Sequence, residues 1–404
     1  MNRSQAVEAC PYQHDADERK SAELANSSEA RIKRLAGGGV KVESFTLMRQ
    51  ILRGGGIRQA GFMAEEVGRA IQGSAPVLFQ EGEAHQKQRA ATARFFAPRV
   101  VTSRYREVMN ELSERLMTKL ENTGRGDLAA MSLEMAVAVA AEIVGLTNSS
   151  ISGMSKRLDS FFTRGATRRP GAIERVRNFF RNQTGLVAFY WMDVKPAIRA
   201  RRRNPKEDVI SHLLQQGYTD AQILTECMTY GAAGMATTRE FIVMAAWHLF
   251  ERPALRAAFV ATDEAGRIAI LEEVLRLEPV VGALYRRTQE ELHIEKDGRT
   301  VTIPAGTLLD LDIRAANSDP AAAGECPHRL KPDRAESMGK PIGTMSFGDG
   351  NHRCPGAAVA LQESAIFLDR LLRIPSVRMA KAPTQEWNTL TVGYELRDAI
   401  VTVG

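Results

Sequence analysis

Phe347-Gly348-Asp349-Gly350-Asn351-His352-Arg353-Cys354-Pro355-Gly356, followed by Ala357-Ala358-Val359-Ala360-Leu361, is the stretch on which the reading of this chain turns. It sets one cysteine on a glycine-rich turn before an apolar run of helical character, with Pro355 suited to the first helical position. A sulfur at a helix start feels the positive end of the backbone dipole and meets N–H groups that the helix leaves unpaired, and both favour the thiolate. Gly348 and Gly350 permit a tight reversal and let backbone come close to a flat ligand. The bland alternative is a buried structural thiol, the usual fate of a lone cysteine.

The run resembles the haem-binding signature Phe-Gly-x-Gly-x-His-x-Cys-x-Gly of the cytochrome P450 family, matching at Phe347, Gly348, Gly350, His352, Cys354 and Gly356. The resemblance implies haem b with Cys354 as the axial iron ligand, and a mainly α, triangular haem-thiolate fold with a small β region. Six matching positions within ten residues make the motif specific.

The rest of the chain bears on that expectation. Its 404 residues, 44% hydrophobic and 25% charged, suffice for a large core, and no Pro/Ser-rich linker or repeat divides it. A single domain over 1–404 is expected, with residues 1–30 poorly ordered. The N-terminus has no apolar stretch resembling a signal peptide or anchor, so a soluble cytoplasmic protein without membrane attachment is expected. Cys10, Cys227, Cys326 and Cys354 show no Cys-x-x-Cys or Cys-x-x-Cys-His spacing, which disfavours disulfides, a zinc knot and covalently attached haem. The formal charge of +6 is modest for the length, and no nucleic-acid motif accompanies it.

In chain order, the triplets Gly37–Gly39 and Gly54–Gly56 read as turns, since neither continues into Gly-Lys-Ser/Thr. Ser44–Leu52 reads as a serine-capped helix. Glu83 opens a helical segment to about Phe96, with His85 and Arg89 on one face. Alone this pair is more often a solvated face, but with Phe95-Phe96-Ala97-Pro98 following it resembles the family's propionate-binding helix. Residues 164–203 are rich in arginine and lysine; Arg164, Arg168 and Arg169 are candidates for the substrate mouth, against the plainer reading of a solvated helix.

Ala221–Phe250 reads as one helix of about 45 Å, capped by Asp220 and stopped before Pro253. Its middle, Gly231-Ala232-Ala233-Gly234-Met235-Ala236-Thr237-Thr238, is rich in small residues, suiting either close helix packing or a flat cofactor. The family's Ala/Gly-Gly-x-Asp/Glu-Thr-Thr matches at Ala233, Gly234, Thr237 and Thr238, but Ala236 replaces the acid. By the resemblance Thr237 positions oxygen and protons, and the usual proton source is missing. Glu240, four residues after Ala236, is the candidate substitute.

Glu273 and Arg276 form an i,i+3 pair that the resemblance makes buried and joined by Arg329, with Leu330 a departure from the phenylalanine common after it. Arg286 aligns with a second propionate-binding arginine. Glu291–Ile303 reads as a hairpin turning at Asp297-Gly298. Met63, Val67, Met235, Val281, Leu284 and Val392 are carried over as lining of an apolar small-molecule pocket. No reductase region is present, so a ferredoxin and its reductase are the implied electron donors, with Lys331, Arg334 and Lys340 as docking cations, and the enzyme is expected to be a monomer. The expected activity is hydroxylation with O2. Ala236 also leaves open oxidative coupling, desaturation or peroxide-driven oxidation, and a non-catalytic haem sensor is the alternative from another class.

Overall fold

The computed structural model describes residues 17–22, 32–62, 64, 75–162, 184–296, 299–338 and 344–404. Met63, Val67, Arg164, Arg168, Arg169, Lys340, Cys10 and the turn at 297–298 lie outside them. The structure is 59% helical with small sheets, as the mainly α expectation requires. Its contacts divide into two compact units.

The first unit comprises Met1–Ile71, Asp263–Cys354 and Leu390–Tyr394. Its five-stranded sheet runs, edge to edge, Ile32–Arg34, Val40–Val42, Leu308–Asp312, Ala283–Thr288 and Ile57–Gln59. Only the Val40–Val42 pairing with Leu309–Leu311 is parallel. Helix Phe45–Arg53 buries Leu47, Met48, Ile51 and Leu52 in a core shared with Val42, Leu309 and Leu311. Burying an aliphatic side chain of this size stabilises by roughly 1.5–3 kcal/mol, so this apolar stripe holds the helix to the sheet. Ser44 occupies the N-cap as expected, yet its side chain makes no capping bond. The Asp319 carboxylate accepts the Phe45 N–H instead, at 3.0 Å. The expected hairpin is present as Leu292–Lys296 paired antiparallel with Arg299–Ile303.

Cys326 is disulfide-bonded, which corrects the expectation that none of the cysteines pairs. Cys227 and Cys354 are not in disulfides.

The second unit comprises Gln72–Thr262, Pro355–Thr389 and Glu395–Gly404. Helix Leu128–Val144 packs against Thr237–Glu251, and helix Ala357–Arg373 packs against both Arg106–Thr123 and Thr237–Glu251. The long helix starts with a capping box: the Thr219 hydroxyl accepts the Gln222 N–H and the Gln222 side chain accepts the Thr219 N–H, so the cap is Thr219 rather than Asp220. The run is also not uniform. Asp220–Tyr230 and Thr237–Glu251 are α-helical, while Gly231–Ala236 between them forms a widened, π-type turn. Small residues tolerate this insertion, and such turns gather at functional sites. Among the described residues no helix is long and apolar enough to cross a membrane.

Candidate active site

In the first unit the cysteine loop is shaped by its glycines. Gly348 and Gly350 both have φ of +66°, a conformation that L side chains adopt only with strain. At Gly350 a second constraint applies: a Cβ would lie 1.9 Å from the Leu52 carbonyl oxygen, because the loop rests on the end of helix Phe45–Arg53. The Asp349 carboxylate accepts the Gly350 N–H at 2.8 Å and pairs with Arg49 and Arg53 at 3.2 and 3.0 Å, tying the loop to the same helix. The Cys354 N–H donates to the Phe347 carbonyl at 2.8 Å, so the two ends of the motif are bonded together. Cys354 itself is exposed. The helix begins at Ala357 with Gly356 as N-cap, two positions later than expected, leaving Pro355 in the turn ahead of it.

Leu284 meets this loop, with its Cδ1 3.6 Å from where a Gly348 Cβ would stand. Val281 and Val392 are brought together by the backbone: the Gly282 N–H donates to the Thr391 carbonyl at 2.9 Å, and Arg314 binds the Val392 carbonyl at 2.6 Å. Val392 has φ of +49°, unusual for a β-branched residue and a mark of local strain. Arg286 is buried on strand Ala283–Thr288 and donates to the Tyr285 carbonyl at 2.9 Å. His352 ends the short turn Gly350–His352.

The ion trio differs from expectation in one member. Arg276 grips Glu273 through two bonds of 2.7 and 2.8 Å and donates to the Asn317, Pro327 and Arg329 carbonyls. The other guanidinium on Glu273 belongs to Arg334, at 2.9 Å, with further bonds to the Ala323, Glu325, Cys326 and Arg329 carbonyls. Arg329 contributes its carbonyl to both arginines, while its side chain pairs with Glu18 at 3.1 Å. The correction removes Arg334 from the surface cations as well, since it is 2% exposed. Lys331 is exposed and gives its N–H to Glu273.

In the second unit His85 and Arg89 share one face of helix Gly82–Ala93, with His85 buried. The Thr237 hydroxyl donates to the Ala233 carbonyl at 2.6 Å, inside the widened turn. A Cβ at Gly234 would meet nothing within 4 Å, and Ala233 is exposed, so this side of the turn faces open space. Met235, at 1% exposure, is buried in the core, which corrects its placement in the pocket lining.

Glu240 is also corrected. One of its oxygens binds Arg239 at 2.9 Å and Arg397 at 2.7 Å, and the other accepts the Leu396 N–H at 2.6 Å. Both oxygens of this buried carboxylate are committed to cations and backbone, so it is a structural anchor rather than a proton source for Thr237.

Sequence reasoning passed over Glu363 in helix Ala357–Arg373. It is buried, hydrogen-bonded to the Thr238 side chain, and its Oε2 has no partner. Burial pushes its carboxyl up to about 8. The available signal was Gln362-Glu363-Ser364 interrupting the apolar run Val359–Leu368, all three buried. Glu226 is a second such group, with Oε1 accepting the Val77 N–H at 3.1 Å and burial raising it to about 7.

These residues suit a haem. In the first unit the donor is an exposed thiol on a left-handed glycine loop, the ligand type that holds haem iron through a thiolate. Comparison with known proteins agrees. The cytochrome P450 family profile matches residues 268–392. The biotin biosynthesis cytochrome P450 of Bacillus subtilis is 26% identical over 75% of this chain and 74% of its own length. Cytochrome P450 130 of Mycobacterium tuberculosis is 28% identical over 76% of this chain and 73% of its own. Among solved structures, P450BioI bound to an acyl carrier protein carrying hexadec-9Z-enoic acid superposes with a TM-score of 0.74 at 23% identity, covering 91% of this chain and 93% of that one. CalO2 gives a TM-score of 0.77 at 20% identity, covering 93% of each.

Residues 268–392, which carry the cysteine loop, are similar to the cytochrome P450 family, and the chain shares its fold with solved cytochrome P450 structures.

Proposed function

We propose that the protein hydroxylates an apolar small molecule, using haem b ligated by the Cys354 thiolate and electrons delivered singly by a separate ferredoxin and ferredoxin reductase, as a cytoplasmic monomer. The observation that carries this reading is the Phe347–Gly356 loop, closed by the Cys354-to-Phe347 hydrogen bond with Cys354 an exposed residue on it. When bound, the haem supplies dioxygen activation, and thiolate ligation favours O–O cleavage.

The chain's own residues hold and orient. Gly348 and Gly350 let the loop approach a flat macrocycle, and the Asp349 pairs with Arg49 and Arg53 keep it from shifting. His85, Arg89, Arg286 and His352 are the groups assigned to the two propionates, where cations pair with carboxylates. Thr237 presents a hydroxyl at the open side of its turn, able to accept and donate in one position. Val281, Leu284 and Val392 line the apolar side of the pocket and exclude water. Exposed Lys331 is the docking cation retained from the sequence.

A second reading is favoured by one observation. Ala236 carries no proton and Glu240 is tied into an ion cluster, so a reaction that draws protons from its substrate, or an oxidative coupling or desaturation, suits this helix. The two readings part on product analysis. With surrogate ferredoxin partners, NADPH and labelled dioxygen, hydroxylation is expected to place one labelled oxygen atom in the product for each substrate lost. Turnover that yields a coupled or desaturated product without label would replace the first reading by the second. Haem reduction without any substrate loss would leave only a sensor.

A further inference from the structure

Residues 17–22 belong to the first unit and form a strap bonded at both ends. At one end the Glu18 N–H donates to the His328 carbonyl at 3.1 Å, while the Glu18 carboxylate accepts the Leu330 N–H at 2.7 Å and pairs with Arg329 at 3.1 Å. At the other end Glu278 takes hold. One of its oxygens accepts the Lys20 N–H, and the second accepts the Ser21 N–H at 3.3 Å and the Ser21 hydroxyl. Ser21 and Glu278 are both wholly buried. A carboxylate out of water needs its lone pairs met, so three strap donors on one carboxylate make a specific seat.

Glu278 caps helix Glu264–Leu277 and opens the segment that carries Val281. Its carbonyl accepts the Tyr394 hydroxyl at 2.8 Å. Arg314 ties the same two segments, donating to the Pro279 carbonyl at 3.0 Å and the Val392 carbonyl at 2.6 Å, and the Gly282 N–H closes on Thr391 at 2.9 Å. The backbones meet with no room for a side chain. A Cβ at Gly393 would stand 1.9 Å from the Val280 carbonyl oxygen, and one at Gly282 would stand 2.1 Å from that of Val392. Inside this knot Val392 keeps its φ of +49°, a strained conformation that persists only where the surroundings over-determine it.

We propose that Ser21 and Glu278 are positioning residues for the substrate: the strap seated on Glu278 holds segments 279–282 and 391–394 together and so fixes the apolar wall that Val281 and Val392 form.

The inference rests on the oxygenase reading above, which sets those two valines at the pocket. It makes the strap a determinant of which small molecule fits, acting through the wall rather than by contact with the substrate. A wall ordered in advance spares the ligand the cost of ordering it, and a loosened wall returns that cost to binding.

The test uses the haem-loaded full chain and two variants. Ser21→Ala removes one donor from Glu278. Glu278→Gln removes more, because an amide offers one oxygen and turns its own N–H groups toward strap donors. The carbon monoxide spectrum and haem content should match the parent in both. The probes are imidazole, which needs little beyond the iron, and phenylimidazole, whose second ring also needs the apolar wall. Affinity for phenylimidazole should fall severalfold, further in Glu278→Gln than in Ser21→Ala, with affinity for imidazole unchanged. A purely structural role would weaken both probes together or neither, and either pattern would overturn the proposal. Hydrogen exchange supplies a second readout that needs no haem. Amides in 280–282 and 391–394 should exchange severalfold faster in both variants, and those of helix Leu128–Val144 at the parental rate. Unchanged exchange in 280–282 and 391–394 would show that the strap does not hold the wall, and would equally sink the idea. A parent without a thiolate spectrum would instead defeat the oxygenase reading, while exchange would still decide whether the strap holds the wall.

Discussion

Replacing Glu273 by alanine is expected to destabilise the first unit by at least about 3–5 kcal/mol, the cost of stranding a buried charge. Two guanidinium groups lose their common carboxylate, and neither can turn to water, since Arg276 and Arg334 are 1% and 2% exposed. Against a net stability of roughly 5–15 kcal/mol this removes a large share. Denaturant titration of purified protein should show a much lower midpoint, or soluble protein should be lost altogether. The paired comparison is sharper. Arg334→Ala should behave like Glu273→Ala, whereas Arg329→Ala removes a partly exposed pair with Glu18 and should stay within about 1 kcal/mol of the parent. If Arg329→Ala proved as damaging as Arg334→Ala, the assignment of the trio would be wrong.

Gly350→Ala is the second large effect, and Gly348→Ala is its internal control. Both glycines share φ of +66°, so each alanine incurs about 1–2 kcal/mol of backbone strain. At Gly348 the new methyl meets nothing nearer than Leu284 Cδ1 at 3.6 Å, an ordinary contact. At Gly350 it falls 1.9 Å from the Leu52 carbonyl oxygen, so the loop must lift off helix Phe45–Arg53 and break the register of Asp349 with Arg49 and Arg53. Forced overpacking adds about 1–3 kcal/mol or more. Haem content per chain should therefore drop severalfold in Gly350→Ala and only slightly in Gly348→Ala. Equal retention in the two variants would show that the loop does not depend on that seat.

What the sequence made legible was local. The cysteine loop could be read because its geometry is dictated within ten residues: two glycines take left-handed backbone, and the Cys354 N–H closes on Phe347. The helix carrying Thr237 was legible too, though its widened turn was not. Spacing cannot show an inserted residue, and Met235 within that turn is buried rather than open to a pocket. The misassigned partners were all long-range. Helical spacing placed Glu240 near Thr237 but could not show that Arg397, 157 residues on, would capture it. The same limit explains Arg329. The chain turns back after Cys326 so that a carbonyl, not a guanidinium, reaches Arg276 from that position, and Arg334 arrives five residues later. Glu363 was overlooked because its meaning depends on Thr238, 125 positions earlier in the chain, taking one of its oxygens and leaving the other buried without a partner.

The most direct test of the central claim is the absorption spectrum of the purified, reduced protein under carbon monoxide, recorded beside Cys354→Ala. Thiolate ligation by Cys354 predicts the long-wavelength Soret band in the parent and its loss in the variant. A parent that binds no haem, or a histidine-type band that persists in Cys354→Ala, would contradict the assignment of Cys354 as the iron ligand.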